Sequence, residues 1–444
     1  MTTAGPPGLI VAAPASASGK TVVTLGLIRH FVRTGARVAA AKAGPDYIDP
    51  RFHAAASGRP CYNLDSWAMR AATLMHVRDR LGADVDLVIC EGVMGLFDGV
   101  GPGAGSTADL AASTGWPVIL VVDVRGQGAS AAALVRGFAS HRSDVTLAGV
   151  VFNRTGSDRH AAILEAATVD AVPSVARLGC IPRMADLALP SRHLGLVQAG
   201  ERADLDATLD RAAVAVARYL DIGAIRRIAG PGAAVADEGR WSPSVPPLGQ
   251  RIAFADDAAF AFSYPLVLEA WRDAGAEVVP FSPLAGEGPD AGADAVYLPG
   301  GYPELYAGRI AGARDFLDGL ADAAGRGAVV YGECGGYMVL GRCLIDEHGV
   351  AHAMAGLLAL ETSFAEPRLH LGYRRARVSA DGPLGEAGVT YRAHEFHYAR
   401  TLEEGPGAPL FECADAGGAE RGPAGLVDGR VMGSFIHLID REDA

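Results

Sequence analysis

The chain lacks the marks of several large protein classes. Only six of its 444 residues are cysteine, at positions 61, 90, 180, 334, 343 and 413, and no two form a CxxC pair. A disulfide framework and a zinc site are therefore not expected, and a reducing, cytoplasmic setting fits. No apolar run approaches the length that spans a bilayer, so no membrane partner is expected. The stretch GLIVAAPASA near the N-terminus imitates an apolar core followed by a small-residue cleavage site. No Lys or Arg precedes it and the run is short, so a signal peptide is not expected. Positive charge is in deficit: 39 Lys and Arg against 51 Asp and Glu leave a formal charge of −12. That argues against a nucleic-acid partner, because phosphate contacts need a basic surface. It does not bear on nucleotide binding, which needs only a few local donors. Internal repeats and coiled-coil heptads are also missing.

What is present is the composition of a globular protein, half of it hydrophobic, with 57 Gly and 26 Pro to make tight turns. The length exceeds one ordinary core, so two domains are expected. In the first half, apolar runs at Leu9–Ala13, Val38–Lys42, Val85–Cys90, Val118–Val124, Leu147–Phe152 and Val175–Ile181 read as buried strands. Helical patterns fall at Thr21–Thr34, Ser66–Leu81, Ala129–Ser140 and Ala203–Leu220. Continuous apolar strands alternating with helices predict an α/β domain with a parallel sheet covered on both faces. The pattern collapses over Gly230–Gln250, rich in Gly, Pro and small residues, which reads as a linker. A second α/β pattern follows: strand Arg251–Ala255, helix Pro265–Ala274, strands Glu277–Phe281 and Ala295–Leu298, helix Arg314–Gly325 and strand Ala328–Tyr331. The expected domains are residues 1–229 and 251–444, with 230–250 between them.

Leu9–Ala13 runs into Pro14-Ala15-Ser16-Ala17-Ser18-Gly19-Lys20-Thr21 and then a helix. Strand, loop, GKT, helix is the P-loop context. Backbone N–H groups around Ser18 and Gly19 cradle phosphate, Lys20 reaches the terminal phosphates of ATP, and the Thr21 hydroxyl can hold Mg2+. The strict pattern has Gly where this chain has Pro14. Magnesium also needs carboxylates. The loop after the second strand carries Asp46 and Asp49, and the loop after VDLVIC carries Glu91 and Asp98. In open parallel sheets the ligand crevice lies at the carboxyl ends of the strands, so these acids should converge on the phosphates. Asp123, ending VILVVD, is a further candidate acid. Asn153, ending GVVFN, either reads a base edge or makes an Asx-turn.

The run Val329–Met338, VVYGECGGYM, takes an apolar strand into a Gly-flanked Cys334 and a short helix. That is the layout of a nucleophile elbow. A thiolate there attacks a carbonyl, and helix N-terminal N–H groups are expected to lower its pKa. The distant His437 is the candidate base. Leu298-Pro299-Gly300-Gly301 stands at another strand end, where the amides of Gly300 and Gly301 suit an oxyanion hole. His394-Glu395-Phe396-His397 either lines the glutamine or acceptor site or is a buried polar cluster; it is one residue short of HExxH and does not suggest zinc.

The segments KAGPDYIDP, NLDSW, EGVMGLFDG, LPSRHLGLV, LPGGYPELY, GECGGYM, HEFHY and GSFIHL, in order along nearly the whole chain, resemble one family. It is that of the cobyrinic and hydrogenobyrinic acid a,c-diamide synthases of corrinoid biosynthesis. The resemblance implies a dethiobiotin-synthetase-like ATPase domain followed by a flavodoxin-like class I glutamine amidotransferase domain. It implies ATP and Mg2+ on Lys20, Thr21, Asp46 and Glu91, and L-glutamine as nitrogen donor at Cys334 and His437. The substrate implied is a small-molecule corrinoid, and Tyr47, Asp49 and Asp98 are expected to orient it. Ordinary class I amidotransferases place a carboxylate two residues after the histidine. Here that residue is Ile439, with Asp440 off by one, so the third triad member is open, and the resemblance implies a domain that lacks it. The oligomeric state is open too, a homodimer included. The lean is toward the metal-free substrate. Rival readings are another amidoligase, such as cobyric acid synthase, or a P-loop switch ATPase with a degenerate thiol domain.

Overall fold

The computed structural model describes residues 5–101, 104–187, 191–192, 195–233 and 242–443, of which 191–192 and 195–196 are described by backbone alone. Part of the expected linker (234–241) and residues 189, 190, 193 and 194 of the segment 189–197 therefore lie outside the described residues. The chain divides into two compact units, Met1–Trp67 with Ala71–Trp241 and Ala68–Arg70 with Ser242–Ala444.

The first unit is built on β1 (Gly5–Ala12), β2 (Val38–Ala43), β3 (Tyr62–Leu64), β4 (Leu87–Glu91), β5 (Val118–Asp123), β6 (Leu147–Thr155) and β7 (Ala176–Pro182). Their order is β3-β2-β4-β1-β5-β6-β7, all parallel. The second half of β1 (residues 9–12), β4 and all of β5 but Asp123 are almost wholly inaccessible, as strands covered on both faces must be. The order reverses at β1, whose carboxyl end lies between those of β4 and β5. That end is where such a sheet leaves a crevice. Three residues of the expected linker instead form a short antiparallel strand, Gly230–Gly232, against β1.

Four helices of this unit escaped the hydrophobic pattern: Asp49–Ser57, Thr107–Thr114, Asp158–Ala171 and Ile222–Ile228. Their start signals are local. Pro50 sits in the first turn of one, Ser106 and Asp109 form a capping box, Ser157 caps the His160 amide and Asp221 that of Ala224. The helix expected at Ser66–Leu81 begins only at Ala71. The preceding residues are used otherwise: the Trp67 amide donates to Asp65 Oδ1 (2.9 Å) and the Arg70 amide to Asp440 Oδ2 (2.8 Å).

The second unit has a sheet in the order Glu277–Phe281, Arg251–Ala255, Ala295–Leu298, Val329–Glu333, Val431–Ser434, Leu426–Asp428. The first five are parallel and the last is antiparallel. An antiparallel sheet was not foreseen. It runs Glu420–Ala424, Phe411–Asp415, His370–Val378, Thr390–His397, Ile436–Arg441. His370–Val378 and Phe411–Asp415 mix buried with more accessible residues instead of running continuously apolar, so they leave a weaker signal. The parallel sheet delivers Cys334 and the antiparallel sheet delivers His437.

Candidate active sites

In the second unit the strand Val329–Glu333 is buried throughout and the helix Gly335–Leu340 follows it directly. Cys334 joins them at φ 48° and ψ −100°. A non-glycine residue in such a conformation costs on the order of 1–3 kcal/mol and persists only where its surroundings hold it. The Cys334 amide donates to Ser434 O (2.8 Å), and its carbonyl accepts from the Met338 amide (3.1 Å). The helix start packs so closely that a Cβ on Gly336 would lie 2.0 Å from Leu298 O.

Cys334 is buried and His437 wholly so. Gly300 lies where they approach. A Cβ there would lie 2.4 Å from His437 Cε1, 3.1 Å from its Nε2 and 3.3 Å from Cys334 Cβ. The neighbouring Gly301 amide nitrogen is 3.0 Å from the Cβ position of Gly335, at the start of the helix that follows the nucleophile. Gly300→Ala should displace the imidazole. Glutamine hydrolysis is then expected to fall by roughly 10²-fold, the size of effect a 1 Å misplacement produces. Ammonia release from glutamine measures it, and an unchanged rate would remove Gly300 from the site.

The thiol is not activated at rest, contrary to the expectation from the helix N-terminus. Burial pushes its pKa well above the ordinary cysteine value, Glu304 adds to the rise, and the Gly335 amide opposes it without prevailing. Cys334 is thus held as a thiol across the neutral range. In the absence of glutamine it should alkylate with iodoacetamide more slowly at pH 8 than the less buried Cys343, as read by peptide mass mapping. Faster labelling of Cys334 would show a standing thiolate.

Neither carboxylate position after the histidine serves the ring. Ile439 is apolar and buried, and Asp440 is engaged by Arg70, at 2.9 Å from Nη2 and 3.1 Å from Nε. Of the HEFH run, His394 pairs across the sheet with His437. Burial, then the nearby His437, pushes its pKa down to about 3. Glu395 and His397 line an open cavity of about 380 Å³ with His370, Arg374, Arg400 and Phe435. His370, Glu395 and His397 come close enough to suggest metal ligation. However, the two rings stack at 4.5 Å and 1°, so their lone pairs do not converge on a point. Glu395 is also taken by Arg374 Nε at 2.7 Å. The cluster is an ion-pair network.

In the first unit, Lys42 of β2 and Glu91 of β4 are register partners, and Glu91 also pairs with Val11 of β1. The loop after β1 passes through Ala17 (φ 62°) and Gly19 (φ 86°) into α1 (Lys20–Arg33). Glu91 is fully buried. It accepts from Thr21 Oγ1 (2.7 Å) and Lys42 Nζ (3.1 Å) and contacts His53 Nε2 (2.7 Å). Lys42 Nζ also binds Asp49 (2.6 Å) and stands 4.0 Å from Asp46. Burial alone would raise the Glu91 pKa, but Lys42, His53 and Lys20 outweigh it and hold it well below the usual carboxylate range. Asp49 goes the other way: burial and Asp46 push it up to about 6 against Lys42. Lys20 Nζ donates to Met94 O (2.8 Å). The donors Thr21, Asp46 and Glu91 are all oxygen, the set that a hard cation such as Mg2+ takes.

The remaining expected residues fall as follows. Ser18 Oγ donates to Ala15 O, and Ser18 O accepts from Asn153 Nδ2 (2.9 Å). Asn153 and Gly19 line a cavity of about 450 Å³ with Val22, Arg154, Pro182 and Met184. Tyr47 is buried. Asp46 caps the Ile48 and Asp49 amides through Oδ1. Asp98 accepts from the Gly95 amide (2.9 Å), a turn contact within its own loop. Asp123 is paired with Arg125 and Arg154, which hold its pKa low against the effect of burial. Arg154 Nη1 also donates to Ala17 O (2.7 Å), which ties Asp123 to the loop after β1.

Two domain families match these two units. Residues 9–197 match the CobQ/CobB/MinD/ParA nucleotide binding domain, and residues 251–444 match the CobB/CobQ-like glutamine amidotransferase domain. The hydrogenobyrinate a,c-diamide synthase of Rhodobacter capsulatus is 54% identical over 98% of this chain and 99% of its own length. The synthase of the same name from Rhizobium meliloti is 52% identical, covering 98% and 99%. The chain belongs to the hydrogenobyrinate a,c-diamide synthase family. This chain pairs a nucleotide-binding domain with a glutamine amidotransferase domain. Among the described residues no helix is long and apolar enough to cross a membrane.

Two residues packed into the cluster around Glu91 were not singled out from sequence: Lys42 and His53. Lys42 stands near the end of an otherwise apolar strand, and a lysine there is a signal, because a buried lysine is costly unless paired. His53 sits on the short helix that Pro50 opens, whose pattern was not recognised.

Proposed function

We propose that the chain amidates the a and c side-chain carboxylates of hydrogenobyrinic acid, using glutamine as nitrogen source and ATP as activator, in cobalamin biosynthesis. The observation that carries this reading is the pairing on one chain of a strained, buried cysteine beside a histidine with a GKT loop beside a buried glutamate. A carboxylate is a poor electrophile at neutral pH. Its oxygen attacks the γ-phosphorus, ADP leaves, and an acyl phosphate forms. Ammonia then attacks the carbonyl carbon and phosphate departs. Lys20 and the loop amides bind the phosphates, and the cavity beside Asn153 suits the nucleoside. Thr21, Asp46 and Glu91 would hold Mg2+, which neutralises phosphate charge when bound.

The ammonia comes from glutamine. Cys334 Sγ attacks the side-chain amide carbon while His437 takes the thiol proton and passes it to the departing nitrogen. Water hydrolyses the resulting thioester to glutamate. The amides of Gly300 and Gly301 are proposed to stabilise the oxyanion. A cytoplasmic location fits this chemistry.

Hydrogenobyrinic acid is preferred over cobyrinic acid because the relatives carry that name across 98% of this chain. Presenting both acids with ATP, magnesium and glutamine tests it. Conversion of the metal-free acid at the higher kcat/KM is expected, and preference for the cobalt acid would reverse the choice.

Asp49 and Asp98 are proposed to orient the acceptor. Asp49→Asn and Asp98→Asn should change the ratio of mono- to diamide over time more than the KM for ATP. A variant that only weakens ATP binding would return its residue to the phosphate site or the loop turn.

A further inference from the structure

A buried thiol that stays protonated at rest needs a base at the moment of attack. An imidazole serves that purpose best when its other nitrogen is held by a third group. The positions after His437 offer none, since Ile439 is apolar and Asp440 is bound by Arg70. A different carboxylate reaches the ring. Glu333 Oε2 lies 3.7 Å from His437 Nδ1, and both side chains are almost wholly inaccessible.

Glu333 is the residue directly before the nucleophile and the last of its strand. Its carboxylate is fixed by three donors: Tyr297 Oη to Oε2 (2.7 Å), Tyr331 Oη to Oε1 (2.9 Å) and the Leu438 amide to Oε1 (3.2 Å). Strand alternation puts Tyr331 and Glu333 on one face, and Tyr297 is the register partner of Tyr331. Burial and the neighbouring Glu333 push both phenol pKa values well above the ordinary tyrosine value, so both keep their protons to donate. The third donor belongs to the residue after His437, which ties the carboxylate to the backbone that carries the ring. The distance of 3.7 Å is an ion-pair distance; catalytic hydrogen bonds are often long before substrate binds. Nε2, on the opposite side of the ring, and Cys334 Cβ both lie close to Gly300, and Cys334 Sγ donates to Phe396 O (3.7 Å).

We infer that Glu333 is the positioning residue of His437: its carboxylate holds the Nδ1 side of the ring, leaves Nε2 to Cys334, and stabilises the imidazolium formed when the thiol gives up its proton. The third member of the triad thus comes from the nucleophile's own strand. The inference rests on the thioester reading of Cys334 and His437. The other titratable groups around the pair are Tyr297, Tyr331 and His394, with Glu304 and Glu395 acting on Cys334.

The test is glutaminase kinetics of the full-length Glu333→Gln variant across pH, with ammonium-dependent synthesis as a control for the other unit. The expected kcat loss is roughly 10²-fold with little change in KM, and synthesis from ammonium salt is retained. Removing the negative charge disfavours the protonated imidazole and favours the thiolate, so the acid limb of kcat/KM should move to lower pH. Glu333→Asp should give an intermediate rate and an intermediate limb, while Asp440→Asn should leave the limb in place. Wild-type kcat, or a loss with the acid limb unmoved, overturns the inference. If Glu333→Gln does not fold, Glu333→Asp decides by the same two readouts. Activity surviving in Cys334→Ala would instead overturn the underlying thioester reading.

Discussion

Cys334→Ala is expected to abolish synthesis from glutamine while leaving synthesis from ammonium salt near its original rate. The thiol is required only to free ammonia; the acyl phosphate is made and consumed in the other unit. Loss of a nucleophile that acts as a unit with its base commonly costs roughly 10⁴-fold or more, so the glutamine-dependent rate should fall to background. The substitution exchanges a small buried side chain for another, but at φ 48° alanine carries the same backbone strain, so the fold should hold. His437→Ala should follow the same pattern with a smaller loss, since general-base help is worth roughly 10²- to 10⁴-fold. Assays with each nitrogen donor in parallel read both variants. Equal loss with both donors, in a variant that melts normally, would mean that Cys334 serves something other than glutamine hydrolysis.

The second large effect is expected at the phosphate site. Lys20→Ala should stop synthesis with either nitrogen donor, because activation of the carboxylate precedes amination. Removing one charge that meets a transferring phosphoryl group typically costs roughly 10²- to 10³-fold. Basal glutamine hydrolysis should survive. Glu91→Gln should show the same kinetic pattern, but with a structural cost. It leaves Lys42 and His53 with a neutral partner in a fully buried cluster, and breaking a buried pair destabilises by about 3 kcal/mol. Thermal melts beside the assays separate the two effects. Near-normal ammonium-dependent synthesis in Lys20→Ala would remove the GKT loop from the reaction.

The parallel sheets were legible because their strands are buried on both faces and so read as unbroken apolar runs. The nucleophile elbow and the GKT loop were legible because each sits at a strand-to-helix junction that needs small residues. Two kinds of feature were not. Short helices that start with a cap, such as Thr107–Thr114 behind Ser106, carry too few turns for periodicity to stand out. The strands His370–Val378 and Thr390–His397 carry many polar residues that are only partly buried and so blend into polar sequence. The electrostatics of the sites depended on partners far away in sequence. Glu91 meets Thr21, Lys42 and His53 only because β1, β2 and β4 are neighbours in the sheet. The helix amide of Gly335 lowers the thiol pKa, as the sequence suggests, but burial and then Glu304, neither of them visible in sequence, outweigh it.

The coupling of glutamine, ATP and a corrinoid acid on this chain is tested most directly by isotope tracing in one reaction. Hydrogenobyrinic acid with heavy oxygen in its carboxylates is incubated with ATP, magnesium and glutamine carrying heavy nitrogen at the side-chain amide. The products are then read by mass spectrometry. The expected result is a diamide with heavy nitrogen at both the a and c positions, and heavy oxygen in the inorganic phosphate, one atom for each amide formed. Diamide without label in the phosphate would contradict the acyl phosphate, and unlabelled amides would contradict glutamine as the donor.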